Sequence, residues 1–245
     1  MKRKRFEKSF LITIFLILAV LFVARFGGPK LLKSYIETGI GPCRKIPILC
    51  KVPGEKIDNP SIDRKLLLDM LPYKLHQMVV FLPKRFDVQQ ETVKKVYYKK
   101  WAKKNKGSII YILCKNPGFF INIFPDLKKK DIGTNYEFLK KTMYANLDNL
   151  KNVTDAFFVI MKSIFIPDLG NQDSARMAEF KNANLKGFIN YNLTKEGNYF
   201  DCNITDEKDV FFKIYIKDKT RQLDLEKVKL VTSTVKAIDN ERLDF

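Results

Sequence analysis

The sequence predicts an α+β chain with an N-terminal transmembrane helix followed by one antiparallel sheet flanked by helices. Two observations carry this prediction. A basic N-terminus precedes a single long apolar run, and the apolar period then changes from 3.6 residues to 2 and back along the rest of the chain. The pattern divides the chain into a basic N-terminus and anchor (1–30), a Pro-rich linker with a Cys pair (31–60) and a globular α+β domain (61–245).

The first 25 residues predict a segment that inserts into a membrane. A basic stretch that includes Arg3 and Lys4 leads into the run from Phe10 to Ala24, whose only polar residue is Thr13. Fifteen helical residues span roughly 23 Å, a length that also suits a cleaved signal peptide. Cleavage after Ala24 would place the bulky Phe22 where a small residue is required. We therefore expect a retained anchor in the bilayer, a single pass through the membrane and an extracytoplasmic C-terminal domain.

The linker brings together Cys43 and Cys50, seven positions apart among closely spaced prolines. In an oxidising compartment this exposed pair is expected to form a local disulfide. The competing interpretations are a redox-active pair or, with the opposite topology, reduced thiols. Cys114 and Cys202 fall in apolar strand patterns and are expected to be buried thiols.

The first half of the globular domain alternates helices and strands in the sequence pattern. A short helix from Ser61 to Pro72 is followed by a strand over 76–82. The spacing of Val93, Val96, Tyr97 and Trp101 predicts an amphipathic helix over 92–105. The segments SIIYILCKN and FFINIFP, joined by Asn-Pro-Gly, predict a hairpin, and a helix is expected over 136–150.

The second half of the globular domain has a different residue pattern. TDAFFVIMKSIFIPD, capped by Thr154 or Asp155, fits either a helix or a strand. Three later segments alternate β-branched and aromatic residues between turn signals, which predicts an antiparallel meander. A closing helix is expected over 224–238, and the whole domain is expected to contain one sheet of five to seven strands.

Two segments resemble a known family. VVFLPKRFDV resembles the first strand of PsbP-like domains and the Pro-Lys that follows it, and LEKVKLVTSTVK is similar to their closing helix. The resemblance covers roughly residues 73–240. It departs from the family pattern at Arg85-Phe86, where the family often has Gly-Trp. It implies an assembly or binding module with no shared active site, so no functional residue is carried over.

Catalytic motifs are not recognisable in the sequence. His76 is the single histidine, which excludes most catalytic triads and the HExxH zinc motif. Phosphate-binding glycine patterns are also missing. The acidic residues Asp201, Asp206 and Glu207 fall in or beside predicted turns, where solvated carboxylates are expected. We therefore predict no catalytic residues, no metal site and no cofactor, and the protein is more plausibly not an enzyme.

The net positive charge of the chain suggests an anionic partner. The first 30 residues hold seven Lys or Arg and one Glu, so the other 215 carry +12 of the net +18. The predicted helix 92–105 presents lysines that could contact an anionic surface: Lys94, Lys95, Lys99, Lys100, Lys103 and Lys104. The expected function is a membrane-anchored extracytoplasmic binding or assembly domain, with anionic lipid or an envelope polymer as partner and no nucleic acid. The alternative is an enzyme with an unfamiliar site that acts on cell-envelope or thiol substrates.

Overall fold

The computed structural model describes most of the chain after the N-terminal segment. The described residues are 28–60, 64–75, 78–84, 89–91, 100–105, 108–166, 169 and 172–237. The chain divides into two compact units. The first unit combines residues up to 52 with 141–167, and the second combines 53–140 with 168–245.

The first unit is helical. Helix α1 is Pro29–Gly39, and its buried residues Leu32 and Ile36 lie on the side that packs against a second helix, Val153–Phe165. Pro at the first helical position suits α1, because that position needs no backbone donor. The short 3₁₀ helix Pro47–Cys50 also contacts Val153–Phe165 and buries Ile48 and Leu49. The N-terminal part of the segment predicted as a linker therefore contains folded elements.

The second unit is built on an eight-stranded sheet. Its strands are β1 Glu55–Asp58, β4 Gln89–Glu91, β5 Lys100–Asn105, β6 Ser108–Lys115, β7 Arg176–Lys181, β8 Leu185–Leu193, β9 Asn198–Asp206 and β10 Phe211–Asp218. Their order is β1-β7-β8-β9-β10-β6-β5-β4. The pair β1 and β7 is parallel, and the other pairs are antiparallel. The predicted meander is the centre of this sheet.

A smaller sheet belongs to the same unit. It consists of β2 Met70–Leu75, β3 Met78–Pro83 and β11 Lys236–Ala237, in the order β11-β3-β2. The apolar residues of β3 and those on one face of the large sheet form a single core cluster. Gly187 lies in the middle of the large sheet, where a Cβ atom would be 2.2 Å from the carbonyl oxygen of Asn203. Only glycine permits this approach of β8 to β9.

The remaining helices follow local sequence signals. They are α2 Arg64–Leu68, α3 Phe119–Ile123, α4 Asn135–Tyr144, α5 Val153–Phe165 and α6 Leu225–Ser233. Asn152 begins α5, since its side chain accepts a hydrogen bond from the backbone of Asp155, so Thr154 and Asp155 are not the cap. Asp224 caps α6 in the same way through Lys227.

Several secondary-structure expectations are wrong. The helix predicted from Ser61 to Pro72 ends at Leu68 among the described residues, and Met70–Leu75 is a strand. The single antiparallel sheet is a mixed eight-stranded sheet accompanied by a separate three-stranded one. The described part of the helix predicted over 92–105 is strand β5, because the residues pair in register with β6. FFINIFP contains α3 and forms no hairpin strand, since Gly118 adopts a left-handed conformation and the chain turns into a helix.

The fold-class prediction also included a transmembrane helix, and this part needs correction. Among the residues that the structure describes, no helix is long and apolar enough to cross a bilayer. The predicted anchor from Phe10 to Ala24 lies outside those residues.

Candidate functional site

The first unit carries the predicted cysteine pair. Cys43 and Cys50 are joined in a disulfide, with their Cα atoms 5.8 Å apart. The side chains of Ile48 and Leu49 are buried, which fixes the turn that leads to Cys50. The carbonyl oxygen of Cys50 accepts a hydrogen bond of 3.1 Å from the Asn146 side chain. The pair is therefore part of a packed loop and does not lie in an extended spacer.

A charged pair lies beside the disulfide. An oxygen of Asp148, Oδ2, is 3.9 Å from Cys43 Sγ, and its other oxygen, Oδ1, accepts a 2.6 Å hydrogen bond from Lys33. Asn146 orients this carboxylate, because its side chain accepts a hydrogen bond from the backbone nitrogen of Asp148. Asp148 and Lys33 were not predicted from the sequence, because no motif connects them to the cysteines.

A fully buried lysine organises the same unit. The ammonium group of Lys162, on α5, donates to the backbone carbonyls of Lys51, Met143 and Ala145. An ammonium has three donors, and here each donor has one acceptor. Burial lowers the pKa of Lys162 to about 7. Lys162 on α5 therefore connects the backbone at Lys51 with the backbone at Met143 and Ala145.

Among the described residues, the lysines of the predicted helix 92–105 lie on a strand and not on a helical face. Lys94, Lys95 and Lys99 lie outside the described residues, as does His76. Lys100, Lys103 and Lys104 lie on strand β5, where Lys103 is opposite Ile110 and Lys104 is opposite Ile109. A strand places consecutive residues on opposite sides of a sheet, so the solvated helical face is absent over this stretch.

The large sheet instead carries polar residues on the face opposite its apolar core. This polar sheet face is formed by strands β8, β9, β10 and β6, in register. Its members are Lys186, Phe188, Asn190 and Asn192 on β8, Tyr199, Asp201, Asn203 and Thr205 on β9, Phe211, Lys213, Tyr215 and Lys217 on β10, and Ile109, Tyr111, Leu113 and Lys115 on β6. The β9 residues between them, such as Phe200 and Cys202, belong to the core cluster.

The centre of the polar sheet face is an ion pair surrounded by amides. Asp201 is fully buried, and its Oδ1 lies 2.6 Å from the ammonium of Lys213. Its Oδ2 accepts hydrogen bonds from Asn203 at 2.6 Å and from Asn190 at 3.3 Å. Lys213 also donates to the side-chain oxygen of Asn203. The expectation that Asp201 is a solvated turn carboxylate is wrong.

Lysines of this face also lie over aromatic rings. The Nζ atom of Lys186 is 4.4 Å from the ring centroid of Tyr136, and that of Lys217 is 5.4 Å from the ring centroid of Tyr199. Lys186 is exposed and Lys217 is half-buried. Tyr215 is half-buried as well. Cation–π contacts of this kind hold a flexible lysine near one position while its charge stays accessible.

Other buried or half-buried carboxylates serve the fold. Asp209 has a left-handed backbone and accepts hydrogen bonds from the backbone nitrogens of Gly118, Asn135 and Tyr136. Asp218 accepts from the backbone nitrogens of Thr220 and Leu223. These carboxylates are committed to holding loops against the sheet, which argues for structural roles.

The cysteines of the second unit are not poised for reaction. Burial raises the pKa of both Cys114 and Cys202 to about 12. Cys202 lies in the core on β9, and its sulfur accepts a hydrogen bond from Thr232. Thiols with such pKa values remain protonated and unreactive at neutral pH.

Comparisons with models of protein families and with characterised proteins give no match for this chain. The resemblance to PsbP-like domains therefore stays a prediction from the residues that carry it.

Proposed function

We propose that the protein acts by binding, and that its polar sheet face binds an acidic polymer of the cell envelope. One observation carries the proposal. On strands β8, β9, β10 and β6 this face holds four lysines and one carboxylate, Asp201, which is itself buried against Lys213; Glu179 on the neighbouring strand β7 lies opposite Phe188. Of the remaining lysines of the face, Lys186 is exposed and Lys217 is half-buried, whereas Lys115 is buried.

The arrangement fits an extended ligand. Tyr111, Tyr215 and the two lysines of β10 are half-buried, so they form a shallow surface in which aromatic and cationic groups alternate. A polymer that carries regularly spaced carboxylates or phosphates can contact several such lysines at once, while its uncharged parts lie on the tyrosine rings. The high net charge of +18 would favour its approach over longer distances.

The experiment measures binding of the full chain to an acidic polysaccharide, polygalacturonate, with neutral dextran as the reference polymer. The double variant Lys186→Glu, Lys217→Glu should bind at least about tenfold more weakly, since each lysine near an anionic surface contributes about 1 kcal/mol. The matched control is Lys128→Glu, Lys130→Glu, which makes the same change in net charge at exposed positions of the 3₁₀ helix Pro125–Lys130.

Two results would contradict the proposal. Equal weakening by both double variants would mean that binding depends on net charge alone. Strong binding to vesicles of anionic phospholipid, with none to the polysaccharide, would instead make a lipid surface the partner.

A further inference from the structure

We propose that, once the Cys43–Cys50 disulfide is reduced, these two cysteines and Asp148 bind a thiophilic divalent cation, with Zn²⁺ as the expected ion. The two sulfur atoms and a carboxylate oxygen lie within 4.8 Å of one another. The inference concerns the first unit and is independent of the binding function proposed for the sheet.

The distances suit a tetrahedral ion. With Zn–S bonds of about 2.3 Å and a Zn–O bond of about 2.1 Å, a sulfur and an oxygen ligand are separated by about 3.6 Å. Cys43 Sγ and Asp148 Oδ2 are 3.9 Å apart in the oxidised form. Opening the disulfide is therefore the main rearrangement required, and solvent can supply the fourth ligand because Asp148 is exposed.

The carboxylate is held in place before any ion binds. Asn146 links the two sides of the site, since it bonds both the carbonyl of Cys50 and the backbone nitrogen of Asp148. Lys33 occupies Oδ1 of Asp148 and leaves Oδ2 directed towards Cys43. Groups that orient a ligand in this way raise the affinity of metal sites.

The charges also balance. Two thiolates and one carboxylate around Zn²⁺ carry a net charge of −1, and the ammonium of Lys33 brings the cluster to zero. Thiolate ligands select Zn²⁺ over Mg²⁺ or Ca²⁺, which prefer oxygen.

The redox step is a two-electron exchange. A dithiol reductant transfers two electrons to the Cys43–Cys50 bond and becomes a disulfide, and its two protons end on the two cysteine sulfurs. When the cation binds, both protons leave to solvent as two metal–sulfur bonds form. Oxidation therefore excludes the ion, and a bound ion protects the thiols from oxidation.

The test uses the full chain, reduced without oxygen by a phosphine that is then removed. Titration with Co²⁺ should produce a thiolate-to-cobalt charge-transfer absorption that saturates at one equivalent, and Zn²⁺ should displace it. The oxidised chain should show no such band. Asp148→Asn should weaken Co²⁺ binding at least about tenfold.

The controls are matched. Asp126→Asn removes another exposed carboxylate that is paired with a lysine, and it should leave Co²⁺ binding unchanged. Cys114→Ser should also retain the band, because that thiol belongs to the other unit. Absence of the band in the reduced chain would overturn the proposal. Equal Co²⁺ affinity of Asp148→Asn and the unaltered chain would overturn the role of the carboxylate.

Discussion

Each unit buries an ionisable side chain, and the two side chains find hydrogen-bond partners of opposite kinds. In the first unit the ammonium of Lys162 meets only backbone carbonyls, from Lys51, Met143 and Ala145. In the second unit the carboxylate of Asp201 meets only side chains, from Lys213, Asn203 and Asn190. Acceptors on the backbone depend on the fold and not on which side chains are present. Donors on side chains can be changed singly, so the second arrangement can be tested partner by partner.

The largest expected effect on stability comes from replacing Lys162. Lys162→Met keeps most of the side-chain volume but removes the ammonium that donates to three backbone carbonyls, so the first unit should lose about 3 kcal/mol or more of stability. Hydrogen exchange of the α5 amides measures this local loss. Lys141→Met, at an exposed position of α4, should change the exchange by less than about 0.5 kcal/mol. Similar exchange in the two variants would show that the carbonyls find other partners.

A smaller effect on stability is expected from replacing Asp201. Asp201→Asn replaces a carboxylate with two acceptor oxygens by an amide with one. The new NH₂ group then faces hydrogen-bond donors that require an acceptor. We expect a loss of about 2 kcal/mol in urea unfolding of the second unit. The control Asp126→Asn breaks an exposed ion pair and should leave the urea midpoint nearly unchanged. If both variants lost the same amount, the buried network would have no special role.

The smallest effect, when taken over a single pH unit, is a dependence of stability on pH. Burial lowers the pKa of Lys162 to about 7, whereas an unfolded lysine titrates near 10.5. Between these values the unfolded chain binds more protons, so the stability of the first unit should rise with pH above about 7, by at most about 1.4 kcal/mol per pH unit. Below pH 7 this contribution should be flat. The slope should vanish in Lys162→Met, and a slope that persists in that variant would belong to another group.

The sequence predicts the regular parts of the fold where one period dominates. The meander and the closing helix were predicted because each pattern extends over several repeats. Residues 100–105 were placed in a helix because Val93, Val96, Tyr97 and Trp101 have helical spacing. Pairing of β5 with β6 instead sets the conformation of these residues. The parallel pairing of β1 with β7 has no local signal, since its partners are more than a hundred residues apart.

The candidate sites were predictable only in part. The proximity of Cys43 to Cys50 could be inferred from spacing, but Asp148 reaches them through tertiary folding alone. Asp201 did leave a signal: Tyr199, Asp201, Asn203 and Thr205 alternate with apolar residues, which is the pattern of a strand with one polar face. Adjacent turn signals led instead to the wrong prediction of a solvated carboxylate.

The parallel edge strand has a consequence for synthesis. Residues 55–58 leave the ribosome early, yet they pair with 178–181, which are made more than a hundred residues later. At roughly 5–20 residues per second, the edge strand waits several seconds or more for its partner. By contrast, Cys43 and Cys50 are neighbours in the nascent chain and need no later residue to meet. The local cross-link therefore needs no residue beyond Cys50, whereas the large sheet is completed only after β10 has been made.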